Sequence, residues 1–232
     1  MDPFSIIVGG LGLIGILLLM RPRRFYLIRH GETLLNAAHI RQGADGALSE
    51  KGRQQADAVG KALQPLNIKL IITSTYPRAI ETAHIIGTRL HARIVTSPLF
   101  VERRNPSEII GKSTRDPEVT RIVDQMDLAY HEDEYRFSDE ENFLELRERG
   151  RKCLTLLRHH GGRHTAIVTH HVTLKMMLAY MLYRNRLHSA DFVKLSFFNI
   201  SDNACISVCE YNPWKRFSAT RGWSVISYNE QP

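Results

Sequence analysis

The feature that most constrains this chain is a repeated alternation. Short apolar runs of strand length are each followed by a polar turn and then by apolar residues at helical spacing. FYLI stands first, after Arg24, and IKLIITS (68–74), ARIVTS (92–97) and HTAIVTH (164–170) follow at later points. Runs like these suit strands buried on both faces, and strands alternating with helices call for crossovers and a largely parallel sheet. Between them, LSEKGRQQADAVGKALQPL carries a cap at Ser49 and apolar residues at Ala56, Val59, Leu63 and Leu66, with Pro65 and Asn67 marking its end. PRAIETAHIIGTRL starts a helix at Pro77, NFLELRERGRKCLTLL is amphipathic, and LKMMLAYML continues the helix after the last of these runs. The sequence from about 102 to 140 is polar, charged and interrupted by Pro106 and Pro117, and is expected to cover one end of the sheet with loops and short helices. FVKLSFFNI, ACISVCEY and WSVISYN read as closing strands.

The first twenty residues differ from the rest. Phe4 to Met20 contains no ionisable side chain, and RPRR follows at once. About 17 residues of helix reach roughly 25 Å, slightly short of a typical hydrocarbon core. The expectation is a membrane anchor over 1–24 and a single-pass protein, with Arg21, Arg23 and Arg24 placing the domain at 25–232 on the cytoplasmic side. A removed signal and a buried amino-terminal helix are the alternatives.

Composition excludes several classes. Three cysteines at spacings that fit no zinc pattern give neither a disulfide framework nor a metal site, and no metal or cofactor is expected. The net charge of +7 comes from scattered residues without interleaved aromatics, so nucleic acid is not an expected partner. The oligomeric state is not legible.

In a layered α/β fold, ligands bind beyond the carboxyl ends of the strands. Arg29 and His30 end the first strand, Arg78 follows the second across STYP, and His170 and His171 end the strand HTAIVT. Guanidinium groups and imidazoles converging on one crevice suit a phosphate dianion, for which arginine offers a fixed fork of donors.

These segments together resemble the histidine phosphatase superfamily, also called the phosphoglycerate mutase-like family. RHGET matches its RHG signature. Asn36 and RQGADGALSEKGRQQA match its asparagine, glycine-containing loop and LSxxGxxQA. STYPRAIETA matches SxxxRAxxTA, PLFVERRNP resembles the segment that supplies its acidic residue, and IVTHHVTL resembles its VxHG element. The resemblance implies a three-layer α/β/α fold and a phosphatase acting on a phosphomonoester of a small molecule or a phosphoprotein. His30 would be the nucleophile that forms a phosphohistidine. Arg29, Arg78 and His170 would hold the phosphoryl oxygens. Glu102 would supply and recover the proton, a role that an apolar lid over its carboxyl would favour. Glu108 is the next candidate for that proton. Asn36, Gln42, Gly43, Arg103 and His171 are further substrate-binding candidates. His171 stands where the family usually has glycine, so it would narrow the pocket or add a donor. A mutase and a membrane-tethered phosphatase-like scaffold are the alternatives. The segment after Glu102 is shorter than in the related mutases, which favours the phosphatase.

Overall fold

The computed structural model describes residues 21–129, 132–198 and 201–232. Six strands form one sheet in the order β3-β2-β4-β1-β5-β6, where β1 is Arg23–Arg29, β2 Leu70–Thr73, β3 Arg93–Thr96, β4 His164–Thr169, β5 Ile206–Tyr211 and β6 Trp223–Glu230. The first four are parallel, while β5 runs antiparallel to both β1 and β6. The helices, in chain order, are α1 (Leu34–Ala37), α2 (Glu50–Leu63), α3 (Pro77–Leu90), α4 (Pro117–Leu128), α5 (Phe143–His160), α6 (His171–Tyr183) and α7 (Ser189–Phe198).

Period-two alternation divides the core into two halves. Phe25 and Leu27 of β1 and Ile167 of β4 face Leu154 and Leu157 of α5 and Met177 and Met181 of α6. Tyr26 and Ile28, with Ala166 and Val168, face Val59 and Leu63 of α2 and Ala83 and Ile86 of α3. Both faces of the sheet are therefore covered, which gives the expected three α/β/α layers and explains why its central strands are apolar without interruption.

Local chemistry sets the helix starts. The Ser49 hydroxyl accepts from the Gly52 N–H, and Pro77 occupies the first position of α3. The covering segment contains α4 and a small apolar cluster of its own, built on Ile109, Val119 and Ile122. It is tied to the loop after α1, where Arg41 N–H donates to Lys112 O at 2.9 Å and Gly111 N–H to Arg41 O at 2.9 Å.

Two expectations are corrected. FVKLSFFNI does not begin with a strand, because its residues through Phe198 belong to α7. There Phe192 and Leu195, one helical turn apart, pack with Leu146, Met176 and Leu187. A short apolar run satisfies either period, and here the hydrophobic surface of α5 and α6 selected the helix. The membrane placement does not stand either. Among the described residues no helix is long and apolar enough to cross a membrane. The longest, α5 with 18 residues, carries charge along its length. The stretch Phe4–Met20 on which the anchor and the single-pass localisation rested lies outside the described residues.

Candidate active site

Parallel register brings three strand ends to one level. Arg29 pairs with Thr169 and Thr73 with Val168. One residue further on, His30 N–H donates to Thr169 O at 3.0 Å and Ser74 N–H to Val168 O at 3.0 Å. His30, Ser74 and His170 therefore stand side by side at the carboxyl edge of β1, β2 and β4, and the His30 and His170 rings lie 5.0 Å apart between centroids.

The glycine after His30 has a packing reason. A Cβ on Gly31 would stand 2.4 Å from Gly52 O, and one on Gly52 would stand 2.0 Å from Glu32 O. The turn after β1 thus rests backbone on backbone against the first turn of α2, which a side chain at either position would prevent. Gly31 N–H also donates to the Thr82 hydroxyl (3.1 Å), which donates to Arg78 O (2.7 Å), so the turn is joined to α3 as well.

His30 is buried, at 4% exposure. Its Nδ1 lies 2.8 Å from Gly31 O. A carbonyl can only accept, so Nδ1 carries the proton and Nε2 keeps its lone pair. Burial holds the ring well below the ordinary histidine range, and the Arg78 and Arg29 guanidinium groups push in the same direction. His170 is fully buried and held neutral in the same way, first by burial and then by the charges around it. Its Nε2 is 2.8 Å from Ser74 Oγ, which itself accepts from Tyr76 N–H.

Arg78 is buried, stacks over the Tyr76 ring, and donates through Nη1 to the carbonyls of Gly43 (3.0 Å), Ala44 (3.1 Å) and Asp45 (3.0 Å). Arg29 donates through Nη1 to Ser201 O at 2.5 Å. Burial lowers both arginines, and Glu102 is the largest influence opposing it in each case, which brings that carboxylate into their field. Arg29 Nε, Arg78 Nε and His170 Nδ1 are buried without a hydrogen-bond partner among the described residues. These three nitrogens, on residues at the ends of β1 and β4 and in the first turn of α3, form a cradle suited to the oxygens of an anion.

Glu102 is held by backbone donors. Its carboxylate accepts from the N–H groups of Val172 (3.2 Å) and Thr173 (3.2 Å) at the start of α6, and from Arg103 N–H (2.8 Å). It caps a helix. Glu108 is exposed and accepts from the Ser138 hydroxyl.

The remaining candidates separate. Gly43 reaches the cradle through its carbonyl, and Gln42 Oε1 is buried in the same loop without a partner among the described residues. Asn36 spends its side chain on a capping box with Thr33 at the start of α1. The Arg103 guanidinium turns to Glu141 O (3.0 Å) and lines a separate cavity with Met126, Tyr135, Phe143 and Phe192. His171 Nδ1 lies 2.6 Å from Ser201 Oγ, so it adjoins Arg29 through Ser201.

The sequence reading passed over Ser74, Ser201 and Lys175. Ser74 carried a usable signal, a polar residue directly after a buried parallel strand. Ser201 sits in a loop with no pattern. Lys175 is buried one turn beyond His171, and burial followed by Arg29 lowers its pKa to about 8. Among the described residues no group of three histidine, cysteine or acidic side chains is arranged to hold a metal ion.

Known proteins match this arrangement over different spans. The family profile of the histidine phosphatase superfamily (branch 1) matches residues 25–223. A probable phosphoglycerate mutase, GpmB, of Erwinia tasmaniensis is 47% identical over 78 residues, covering 33% of this chain and 36% of that protein. The fructose-2,6-bisphosphatase TIGAR B of Danio rerio is 36% identical over 109 residues, 39% of this chain and 42% of that one. In both cases the match spans well under half of the relative. A solved mycobacterial glucosyl-3-phosphoglycerate phosphatase superposes with a TM-score of 0.74 over 90% of this chain and 99% of its own, at 24% identity, a likeness of fold. The profile runs from β1 to the start of β6, through His30 and His170 at the strand ends and Arg78 at the start of α3, and the chain belongs to the histidine phosphatase superfamily.

Proposed function

We propose that this protein hydrolyses phosphomonoesters of small molecules through a phosphohistidine on His30. The observation that carries the reading is the state of that ring. Its Nδ1 proton is committed to Gly31 O, and burial beside two guanidinium groups keeps it neutral. Its Nε2 is therefore an unprotonated nucleophile at neutral pH.

Arg29, Arg78 and His170 bind the phosphoryl oxygens in this reading. Because the Ser74 hydroxyl accepts from Tyr76 N–H, its own proton is free to point to His170 Nε2, leaving His170 Nδ1–H as a donor toward phosphate. Fixed donors of this kind stabilise the charge spread over the oxygens during transfer. Nε2 attacks phosphorus, the ester oxygen leaves with a proton from Glu102, and water activated by the same carboxylate then releases phosphate and restores the ring. Gln42, Gly43 and His171 border the cradle and contribute to recognition.

The local likeness to a probable phosphoglycerate mutase supports a second reading, in which the phosphoryl group passes to a sugar acid instead of water. A panel of phosphorylated sugars, sugar acids, nucleotides and phosphopeptides, assayed for free phosphate, separates the two. Release from the small esters, lost in a folded His30→Ala variant, is expected. Isomerised phosphate without release would favour the mutase, and release by His30→Ala would remove the nucleophile.

A further inference from the structure

Glu102 stands on backbone without regular structure, just after the short 3-10 turn Pro98–Phe100. No strand partner satisfies the carbonyls before it, yet each is bonded. Leu99 O accepts from Arg149 Nη1 (2.9 Å) and Cys153 Sγ (3.1 Å). Phe100 O accepts from the Thr169 hydroxyl (2.8 Å). Val101 O accepts from Arg149 Nη1 (2.7 Å) and the Thr173 hydroxyl (2.6 Å). Thr173 N–H then donates to the Glu102 carboxylate. Among the described residues Arg149 is thus the one side chain that bonds both Leu99 O and Val101 O, and its Nη1 also reaches Thr173 Oγ1 at 3.3 Å.

The other edge of the same guanidinium is fixed. Arg149 Nε and Nη2 pair with the two Glu141 oxygens at 2.7 and 2.6 Å, and the two side chains are only 14% and 13% exposed. Burying an ion pair gives little net stability, because desolvation opposes the attraction, so a stabilising role alone does not account for it. The planar fork does account for it. One edge is anchored to Glu141, and the opposite tip is presented to two carbonyls on either side of Phe100, a geometry that the single ammonium of lysine cannot reproduce.

We propose that Arg149 is a positioning residue that sets the Glu102 carboxylate against the phosphate cradle, acting through the carbonyls of Leu99 and Val101 and the side chain of Thr173. The inference rests on the reading of Glu102 as the proton donor. It predicts a leaving-group dependence. Aryl esters depart with little proton donation, whereas alkyl esters need it, so a displaced Glu102 should be felt only with alkyl esters.

The test compares an alkyl and an aryl phosphate ester in Glu102→Gln, Arg149→Lys and the double variant, with urea melts as the check on folding. Glu102→Gln should lose kcat selectively on the alkyl ester. Arg149→Lys should lose about tenfold or more in kcat on the alkyl ester and less than about twofold on the aryl ester, with KM little changed. Adding it to Glu102→Gln should cost nothing further. If Arg149→Lys does not fold, Thr173→Val and Glu141→Gln carry the same test, each with a smaller loss confined to the alkyl ester. Equal losses on both esters, or losses that multiply in the double variant, would overturn the positioning role while leaving Glu102 in place. Equal losses in Glu102→Gln itself would instead remove the proton donor.

Discussion

Lowering the pH from 7 to 5 should destabilise this protein, because three histidines at the site are held in their neutral forms, His30 and His170 buried and His171 half-buried. Burial, with Lys175 and Arg29 adding to it, lowers His171 to about 3 from an ordinary 6.5. His30 and His170 lie well below the same value. A histidine depressed on folding contributes stability that is present above pH 6.5 and is lost as pH falls, since the unfolded chain takes up a proton that the folded one refuses. Between pH 7 and pH 5 the loss is about 2 kcal/mol for His171, and His30 and His170 add to it in the same direction, against a total stability of about 5–15 kcal/mol for a domain. Carboxylates held below their usual range, such as Asp133, add to the loss only at lower pH. Urea melts at pH 7, 6 and 5 measure the effect, and His171→Asn should reduce the loss of stability between pH 7 and 5 by about 2 kcal/mol. A midpoint that does not move between pH 7 and 5, or a His171→Asn variant with the full dependence, would refute the burial argument. By the same reasoning, kcat/KM of the folded enzyme should show no acid limb near pH 6.5 from His30.

Gly31→Ala should cost more than about 2 kcal/mol in a urea melt, because its Cβ would meet the backbone oxygen of Gly52 at 2.4 Å and only main-chain movement relieves that contact. A loss under about 0.5 kcal/mol would show that the turn has slack. Arg78→Lys should raise KM for an aryl phosphate by about tenfold or more and cost about 1–3 kcal/mol of stability, since lysine cannot both meet the carbonyls of Gly43, Ala44 and Asp45 and present a second edge to phosphate. Unchanged KM would place Arg78 in the loop alone.

What was legible in the sequence was whatever depends on period and on strand ends. FYLI, IKLIIT and HTAIVT have no polar face, and that alone required helices on both sides. Arg29, His30 and His170 could be named because charge at the end of a buried strand has few explanations other than a ligand. The misreading of the segment from Ser189 shows the limit of the same signal, since Phe192 and Leu195 fit a strand or a helix until α5 and α6 are present to receive them. Side-chain allegiance was harder still. Asn36 and Arg103 sit in the matching segments, yet one caps α1 and the other turns to Glu141, choices that depend on neighbours a few ångströms away. The Glu102 carboxylate receives N–H groups from the first turn of α6, a contact between residues 70 positions apart that no spacing reveals. Arg149 read as one more charge on an amphipathic helix, and only the tertiary fold shows that it holds the backbone on either side of Phe100.

The central claim is that His30 Nε2 becomes covalently phosphorylated. Turnover with a substrate labelled in its phosphoryl group, stopped by denaturation in base and followed by peptide mapping, tests it most directly. A phosphoramidate that persists in alkali and is lost in acid should be found on the peptide carrying His30, at Nε2, and should be absent from His30→Ala. Activity should also survive chelation. Turnover that leaves no label on the protein, or that is abolished by a chelator and restored by a divalent metal ion, would contradict the account.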